Sequence, residues 1–470
     1  MHTTGHFNKA FMKSVIDDVE WYGAGIKSDF LSPVNFSIDS RTLNAGEIFV
    51  AVKGTKNDGH DFIKEAVEKG ASGLIIAKDS VSRLDELSAG VRQKLIIAVV
   101  PDTKIAMLSL ARVWRAKFDY PVIGITGSVG KTMTKELLSQ ILSRAGKSVI
   151  STYKHQNTEL GCALNVLRLT NEHDVALVEM GVRRRGEMAR MADIVRPTSA
   201  IITTIGHSHM EGLGSVSDIA SEKRDIFKHF KEDGIGIING DQALLASISY
   251  PHPIVKFGCK MTNQVQARKI QAKASETSFT LKLYKDKRRV TMQTNHMGPI
   301  MNGLAAATAA HLLGVATDTI VVALEEPCNV RSRFEARNLK GGRGLLIDDC
   351  YDANPESMKA ALLAFERMES EGKKIAILGD MLELGVNAPF WHRQLGRFLR
   401  KVSSLSHVVF VGENVKWAQK TLPPFITSEL VANWQEAKGL LKKHLEKKVT
   451  LLVKGSEPIG LDNLVDEVAE

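Results

Sequence analysis

The segment that most constrains the fold spans residues 121–135 and reads Pro-Val-Ile-Gly-Ile-Thr-Gly-Ser-Val-Gly-Lys-Thr-Met-Thr-Lys. Its apolar, largely β-branched beginning predicts a buried strand, and the apolar spacing after Lys131 predicts a helix. Glycines between a strand and a helix let backbone N–H groups face a polyphosphate, while the helix N-terminus adds its dipole. Lys131 supplies a positive charge and Thr132 a ligand for Mg²⁺, so the segment predicts a phosphate loop that binds ATP or GTP with Mg²⁺. The loop residues are Gly127, Ser128, Val129, Gly130, Lys131 and Thr132.

The loop departs at one position from the general pattern G-x-x-x-x-G-K-[ST], because Ile125 stands where the first glycine is expected. An ordinary turn between a strand and a helix, without a ligand, is the alternative interpretation. The Gly-Lys-Thr ending in this strand-to-helix context favours the nucleotide interpretation.

Length and charge narrow the class of protein. A chain of 470 residues is too long for one hydrophobic core and predicts three domains. The net charge of +9 is compatible with nucleic-acid binding, but the basic residues are dispersed and the aromatic content is only 6%. An anionic small-molecule substrate explains the charge equally well, so we expect no nucleic-acid partner.

Cysteine usage and hydropathy indicate a cytoplasmic protein. The four cysteines lie far apart without C-x-x-C spacing, which disfavours structural zinc and a disulfide framework. Residues 1–6 lack a basic region followed by an apolar core, so no export signal is expected. Residues 295–317 contain no Lys, Arg, Asp or Glu, but they include several polar residues, and Ala and Leu recur at helical spacing, which favours a buried core helix over membrane insertion.

The alternation of short strands and helices predicts an α/β protein with three domains. Residues 1–118 form a small N-terminal α/β domain in this interpretation. Residues 119–326 form a central domain whose doubly wound, mostly parallel sheet carries the phosphate loop. Within it, residues 265–293 predict an inserted antiparallel hairpin. Residues 327–470 form a C-terminal Rossmann-like α/β domain.

Polar residues follow the predicted strands of the central domain, at the sheet edge where ligands of open α/β sheets bind. Glu179 ends the strand at residues 175–178 and can complete a Mg²⁺ site with Thr132, although a strand-end glutamate without a ligand is the alternative. The loop at residues 203–212 carries His207 and His209, which suit a second cation or a substrate contact, or an ordinary polar loop.

Two further candidates are ambiguous by spacing alone. Lys223 lies on a short amphipathic helix, and its spacing favours a solvated lysine. Asp349 follows Asp348 at the end of a predicted strand, where it can bind a ribose hydroxyl or cap the next helix.

Together these motifs resemble the Mur ligase family, over residues 38–464. The strings at Leu378–Gly385 (Leu-Gly-Asp-Met-Leu-Glu-Leu-Gly) and Tyr351–Lys359 are most particular to the family's D-alanyl-D-alanine-adding members. The other segments that carry the resemblance are Ile38–Thr42, Asp58–Phe62, the phosphate loop, Glu179–Gly181, Gly206–Gly214, Arg333–Glu335, Asp348–Lys359 and Val453–Ser456.

The resemblance implies an ATP-dependent ligase that joins D-alanyl-D-alanine to a UDP-N-acetylmuramoyl-tripeptide through an acyl phosphate, in peptidoglycan precursor synthesis. The N-terminal domain would bind the UDP-sugar, the central domain ATP, and the C-terminal domain the incoming dipeptide. The partners implied are small-molecule substrates, and the expected oligomeric state is a monomer.

The resemblance also implies roles for individual residues. Two Mg²⁺ ions are expected, with Thr132 and Glu179 at one ion and His209 at the other, and Lys223 matches a carbamylated lysine that contacts metal. Lys131, Lys223 and His209 are the implied catalytic residues. ATP would be held by the phosphate loop with Asn302 at adenine, Arg333 at phosphate and Asp349 at ribose. The implied substrate-binding residues are Ser40, Arg41, Asp58, His60, Asn157, Thr158, Tyr351 and Asn354.

Departures from the family pattern lie mostly on the substrate side and leave two alternatives open. One is a related ligase acting on a different acid and amine, and the other is a nucleotide-binding protein that no longer ligates. The departing positions are the segment at residues 155–161, Ala163, Thr204, Gly298, Pro299, Ser332 and Glu457.

Overall fold

Three β-sheets follow one another along the chain, with five, nine and six strands. The computed structural model describes residues 7–24, 27–30, 34–54, 57–445 and 448–470. Helices cover the sheets, and the predicted α/β class is confirmed. The predicted boundaries after residues 118 and 326 fall between sheets and stay predictions.

The N-terminal sheet has the strand order β1-β5-β4-β3-β2, with β1 antiparallel to β5 and the remaining pairs parallel. Strands β3 to β5 are apolar runs such as Gly-Leu-Ile-Ile-Ala, which suit a sheet buried on both faces. The elements are α1 (Lys9–Val15), β1 (Glu20–Gly23), β2 (Phe36–Ser37), β3 (Ile48–Val50), α2 (Ile63–Glu68), β4 (Gly73–Ala77), α3 (Ala89–Lys94), β5 (Ile96–Val100) and α4 (Thr103–Arg115).

Helix α4 joins the N-terminal sheet to the central one. Trp114 on this helix packs edge-on against Phe7 and Phe11, and its indole Nε1 donates to the carbonyl of Leu169 at 3.1 Å. Arg115 donates through Nε to the carbonyl of Val195 at 2.9 Å. One apolar core therefore extends across both regions, which limits their relative motion.

The central sheet has the order β14-β13-β12-β11-β10-β9-β6-β8-β7, and it is parallel from β12 to β7. Its elements are β6 (Val122–Thr126), α5 (Lys131–Arg144), β7 (Val149–Ser151), α6 (Glu159–Leu167), β8 (Val175–Glu179), α7 (Glu187–Val195), β9 (Ser199–Ile202), α8 (Met210–Leu213), α9 (Val216–Arg224), β10 (Ile235–Asn239), α10 (Ala243–Ala246), β11 (Ile254–Gly258), β12 (Val265–Ala272), β13 (Thr277–Leu283), β14 (Asp286–Met292), α11 (Met297–Leu312) and α12 (Thr317–Glu325).

Strand β6 lies between β8 and β9, where the chain connections leave in opposite directions, so a crevice opens at the carboxyl ends of these strands. The predicted antiparallel hairpin is confirmed as β13 and β14. It is not a separate insertion, because β12 pairs antiparallel with β13 and parallel with β11, which makes the hairpin the edge of the main sheet.

The uncharged segment at residues 295–317 contains α11, whose Ala-rich middle is buried beside α5. The expectation of a buried core helix is confirmed, and no helix among the described residues is long and apolar enough to cross a membrane.

The C-terminal sheet has the order β15-β16-β20-β17-β18-β19, parallel except for the edge pair β15 and β16. This is the predicted Rossmann-like arrangement. Its elements are β15 (Glu335–Asn338), β16 (Gly344–Asp349), α13 (Pro355–Arg367), β17 (Lys373–Gly379), α14 (Ala388–Phe398), β18 (Leu405–Val411), α15 (Lys416–Gln419), β19 (Thr427–Val431), α16 (Trp434–His444), β20 (Val449–Lys454) and α17 (Leu461–Val468).

Candidate active site

The phosphate loop leaves the buried strand β6 and enters α5 in the geometry that its glycines predict. Gly130 has φ +94° and precedes the first residue of α5, and a Cβ there would lie 2.3 Å from Asn302 Oδ1. Only glycine fits both the left-handed backbone and this close approach. Lys131 Nζ donates to the carbonyl of Gly127 at 2.9 Å, which folds the lysine back over the loop. Burial lowers the pKa of Lys131, with Glu179 acting in the opposite direction.

Thr132 and Glu179 meet at the carboxyl end of β8. Thr132 Oγ1 donates to Glu179 Oε2 at 3.0 Å, and Asn157 Nδ2 donates to Glu179 Oε1 at 2.9 Å. Glu179 is only 3% exposed, yet it has no cationic partner among the ion pairs of the described residues. A hydroxyl and a carboxylate placed together beside a phosphate loop are the oxygen ligands that Mg²⁺ prefers, so the residues fit the metal.

Lys223 lies at the end of α9 and is 1% exposed, which contradicts the solvated lysine that its spacing favoured. Its Nζ has no hydrogen bond or ion pair to any described residue. Burial and the nearby charge of Lys131 hold the pKa of Lys223 well below its usual range. The side chain is therefore a buried amine whose neutral form is favoured, an environment that spacing along one helix cannot reveal.

The loop at residues 207–209 contacts the C-terminal domain through three consecutive side chains. His209 has a left-handed backbone, with φ +57°, and Glu383 has φ +59°, so both residues are held in unusual conformations at this contact. Hydrogen bonding to His209 lowers the pKa of Glu383, which keeps the carboxylate ionised. The contacts are His207 Nδ1 with Glu356 Oε1 at 2.5 Å, Asn354 Nδ2 with Ser208 Oγ at 3.1 Å, and His209 Nδ1 with Glu383 Oε2.

A cavity of about 580 Å³ lies where the three domains meet. The phosphate loop and the sheet edge contribute Lys131, Glu179 and His209, which the structure brings together around one space. Asn157 and Thr158 also line it, and Thr158 caps α6 by accepting from the backbone of Gly161. The N-terminal domain contributes Val52, Lys53 and Gly54, and the C-terminal domain contributes Arg333, Tyr351, Asp352, Leu382, Glu383, Ser456, Glu457 and Pro458.

A smaller cavity of about 130 Å³ opens on the other side of Lys131. It is lined by the phosphate loop, Asn302, Arg333 and Asp349, the residues predicted to hold the nucleotide. Asp349 Oδ2 is paired with the buried Lys454 Nζ at 2.8 Å, so it does not cap a helix; Asn354 caps α13 instead. Lys454 lies in the segment Val453–Ser456 that carries the family resemblance, but the sequence alone assigns it no role.

Arg333, Tyr351 and His155 form a stack between the two cavities. The guanidinium of Arg333 lies 4.1 Å from the centre of the Tyr351 ring, which in turn stacks on His155 at 4.3 Å. Burial raises the pKa of Tyr351 to about 12 and lowers that of His155. His155 lies in a segment that departs from the family pattern, and its partner Tyr351 is 196 positions away (351 − 155), so no local signal reveals this contact.

The four predicted residues of the N-terminal domain are not among the described residues that line the 580 Å³ cavity. Ser40 donates to Glu65, and Arg41 forms a two-pronged pair with Asp39. His60 is 2% exposed, and both of its ring nitrogens are engaged, Nδ1 with Asp58 at 2.6 Å and Nε2 with the backbone N–H of Ala77 at 3.0 Å. In this structure the hydrogen bonds of Asp58 and His60 therefore stabilise their own loop.

Glu356, Glu383 and Lys454 are the contacts that sequence reasoning left without a role. Each lies in a motif quoted for the family resemblance, but its partner comes from a distant part of the chain. The phosphate loop, the crevice at the sheet edge and the nucleotide-side cavity define a P-loop nucleotide-binding protein of the α/β class.

Comparison with known proteins agrees with this class. Three family models match the chain: the Mur ligase catalytic domain over residues 34–112, the Mur ligase middle domain over residues 125–310, and the Mur ligase glutamate ligase domain over residues 332–457. The chain belongs to the Mur ligase family, as its motifs predicted.

Curated relatives include the UDP-N-acetylmuramoyl-tripeptide–D-alanyl-D-alanine ligases of Bacillus subtilis and Escherichia coli. The first is 31% identical over 92% of this chain and 92% of its own length, and the second is 30% identical over 96% of each. Among solved structures, MurF from Acinetobacter baumannii matches with a TM-score of 0.81 and 26% identity over 99% of both chains. MurF from Thermotoga maritima, in complex with ADP, matches with a TM-score of 0.75 and 28% identity over 92% of this chain and 96% of that one.

Proposed function

We propose that this protein joins D-alanyl-D-alanine to a UDP-N-acetylmuramoyl-tripeptide at the expense of ATP, in peptidoglycan precursor synthesis. The observation that carries the proposal is the 580 Å³ cavity, in which Lys131, Glu179 and His209 of the central domain face residues of both other domains. A ligase needs such a site, because ATP, an acid and an amine must be aligned together. The names of the relatives supply the particular acid and amine.

The residues around the phosphate loop suit activation of a carboxylate. Mg²⁺ held by Thr132 and Glu179 would neutralise charge on the transferring phosphoryl group. Lys131, folded over the loop, adds a fixed positive charge at the same place. The substrate carboxylate takes the γ-phosphoryl group and becomes an acyl phosphate. The dipeptide amine then attacks the carbonyl, phosphate leaves, and an amide remains.

The nucleotide base and ribose would lie in the smaller cavity, against Asn302 and Asp349, with Arg333 reaching the phosphates. The stack of Arg333 on Tyr351 holds the guanidinium between the nucleotide side and the larger cavity. We assign Asn157, Thr158, Tyr351 and Asn354 to the acid and amine substrates. We propose that the N-terminal domain binds the UDP-sugar, and that its binding surface is shaped by Ser40, Arg41, Asp58 and His60.

Lys223 carries a carbamate in this proposal. Its amine is buried and has no partner among the described residues, and its lowered pKa favours the neutral form, which is the form that adds CO₂. The addition gives an N-carboxylate and releases one proton, so a neutral amine becomes an anion that can contact a metal. Labelling with ¹³C-bicarbonate tests it: a carbamate carbon signal is expected in the wild type and should vanish in Lys223→Ala together with activity. Near-normal turnover of Lys223→Ala would contradict the assignment.

We further propose that the protein acts as a monomer in the cytoplasm, because the three domains of a single chain line the larger cavity and the reaction consumes ATP. Size-exclusion chromatography with light scattering would test the oligomeric state.

The deciding experiment is phosphate release from ATP with purified full-length protein. Release should require both the UDP-muramoyl tripeptide and D-alanyl-D-alanine, and Lys131→Ala should abolish it while the fold is retained. Release with a different acid and amine, and none with this pair, would favour the related ligase. Tight nucleotide binding without release for any pair tested would favour the non-ligating alternative.

A further inference from the structure

A cluster of two histidines and a glutamate lies at the outer edge of the C-terminal sheet, away from both cavities of the active site. His407 is on β18, Glu429 on the edge strand β19, and His444 in the last turn of α16. Their ligand-type atoms all lie within 4.8 Å of one another. None of the three lines either cavity described above.

The nitrogen atoms converge on one carboxylate oxygen. His407 Nε2 lies 3.2 Å from Glu429 Oε2, and His444 Nε2 lies 3.7 Å from the same oxygen. In a tetrahedral metal site, two ligand atoms that each lie about 2.0 Å from the metal are about 3.3 Å from each other. The two nitrogen–oxygen distances in the cluster are close to this value. The two imidazole rings are stacked, with centroids 4.3 Å apart and planes 29° apart.

The surroundings of His407 match those of a ligating histidine. Its second nitrogen, Nδ1, lies 2.8 Å from Thr427 Oγ1, which holds the ring and leaves Nε2 directed at the cluster. Histidine ligands of metals characteristically use the other ring nitrogen for such a hydrogen bond.

The position of the cluster suggests what a metal would do there. Strand β19 is short and is bordered by β18 on one side only, and the last residue of α16 packs over both. A metal bound by all three residues would tie the edge strand and the helix to β18, so that metal binding would stabilise this edge of the fold. Without a metal, Glu429 offers one oxygen to two imidazoles, which is a weaker contact because the carboxylate is partly exposed.

We propose that His407, Glu429 and His444 bind a divalent transition metal ion of the Zn²⁺ type, with solvent completing the coordination. The ion stabilises the edge of the C-terminal sheet and takes no part in ligation, so the inference does not depend on the proposed function.

Isothermal titration of the metal-stripped full chain with Zn²⁺ tests the site. The matched variants are His444→Ala and Glu429→Gln, with His229→Ala as control, because His229 is a partly exposed histidine paired with Asp193 on another domain. One Zn²⁺ per chain is expected to bind the wild type and the control with equal affinity, and at least tenfold more weakly in the two cluster variants. Zn²⁺ should also raise the melting temperature of the wild type and leave that of His444→Ala unchanged.

The competing outcomes are distinct. Equal Zn²⁺ binding by all four proteins would show that the ion binds elsewhere and would overturn the proposal, as would the absence of binding at micromolar Zn²⁺. Substitution with Co²⁺ gives a second measurement: an intense visible absorption band in the wild type, lost in His444→Ala, is expected of a tetrahedral site with nitrogen ligands. Unchanged Mg²⁺-dependent turnover in His444→Ala would separate this site from the active site.

Discussion

Replacing Glu383 by glutamine tests whether the C-terminal domain orients the histidine that we expect to bind metal. Glu383 Oε2 contacts His209 Nδ1, and the other ring nitrogen has no hydrogen-bond partner among the described residues. This is the arrangement in which a carboxylate fixes the orientation of an imidazole and raises its basicity as a ligand. Glutamine keeps the size of the side chain and removes its charge, so Glu383→Gln perturbs the contact with little change in packing.

The expected loss of metal affinity follows from the kind of contact that Glu383 makes. Partners that orient a metal-binding histidine are worth about 10- to 100-fold in metal affinity, or about 1.4 to 2.7 kcal/mol. The contact is only partly exposed, so solvent weakens it less than it weakens a surface pair. We therefore expect Glu383→Gln to weaken Mn²⁺ binding by about tenfold and to raise the Mg²⁺ concentration for half-maximal turnover by a similar factor.

Glu356→Gln is the matched control. Glu356 belongs to the same C-terminal domain and contacts His207, two residues before His209, but it does not contact the predicted ligand. Each variant weakens a carboxylate–histidine contact between the same loop and the same domain, so both should affect domain docking in the same direction. Glu383→Gln also loses the 3.7 Å pair with the exposed Arg183, which is a small addition because surface pairs of this kind contribute little. Mn²⁺ titration followed by electron paramagnetic resonance, with a non-hydrolysable ATP analogue present, measures metal affinity without turnover. Equal Mn²⁺ affinity in the wild type and Glu383→Gln, or equal losses in the two variants, would refute the reasoning.

Three further predictions concern the phosphate loop, acid stability and thiol reactivity. In steady-state kinetics, Gly130→Ala should raise the KM for ATP at least tenfold, because Gly130 has φ +94° and an added Cβ would clash with Asn302. The control is Gly146→Ala, where φ is +76° but the surrounding space is open; it should change stability and leave the KM for ATP unchanged. Burial lowers the pKa of His296 to about 4, so between pH 6.5 and 4 the unfolded chain binds a proton that the folded chain does not. About 3 kcal/mol of the free energy of unfolding should be lost as the pH falls through that window. The loss should be smaller in His296→Asn, because asparagine keeps a helix-capping side chain but does not titrate. Urea unfolding at several pH values measures this, and the same dependence of the unfolding free energy on pH in both proteins would contradict it. Cys259, the exposed thiol, should react with a thiol reagent before the buried cysteines, as mass spectrometry of partly labelled protein would show.

Much of the fold could be predicted because its signals are local. Apolar strands such as β6 and β8 are read from a few consecutive residues. A polar strand carries no such local signal. Strand β15, with the sequence Glu-Ala-Arg-Asn, forms because the neighbouring strand β16 supplies its hydrogen bonds.

The candidate site was predicted in part, and Lys223 shows where the limit lies. Its spacing on one amphipathic helix favoured exposure, whereas the structure buries it at 1% exposure beside the phosphate loop. Burial depends on which other elements cover a side chain, and periodicity within one helix carries no such information. Family resemblance identified the position, but only the fold shows that its amine is buried and without a described partner.

By itself, the sequence determined that this chain has a phosphate loop between a strand and a helix, and that acidic and basic residues follow the strands of an α/β sheet. The tertiary structure alone decided how the domains complete the site. His209 and Glu383 are 174 positions apart, and Thr132 and Glu179 are 47 apart. The physical reason is that a hydrogen bond or ion pair needs atoms within a few ångströms, and for distant residues only the packing of whole elements fixes that separation.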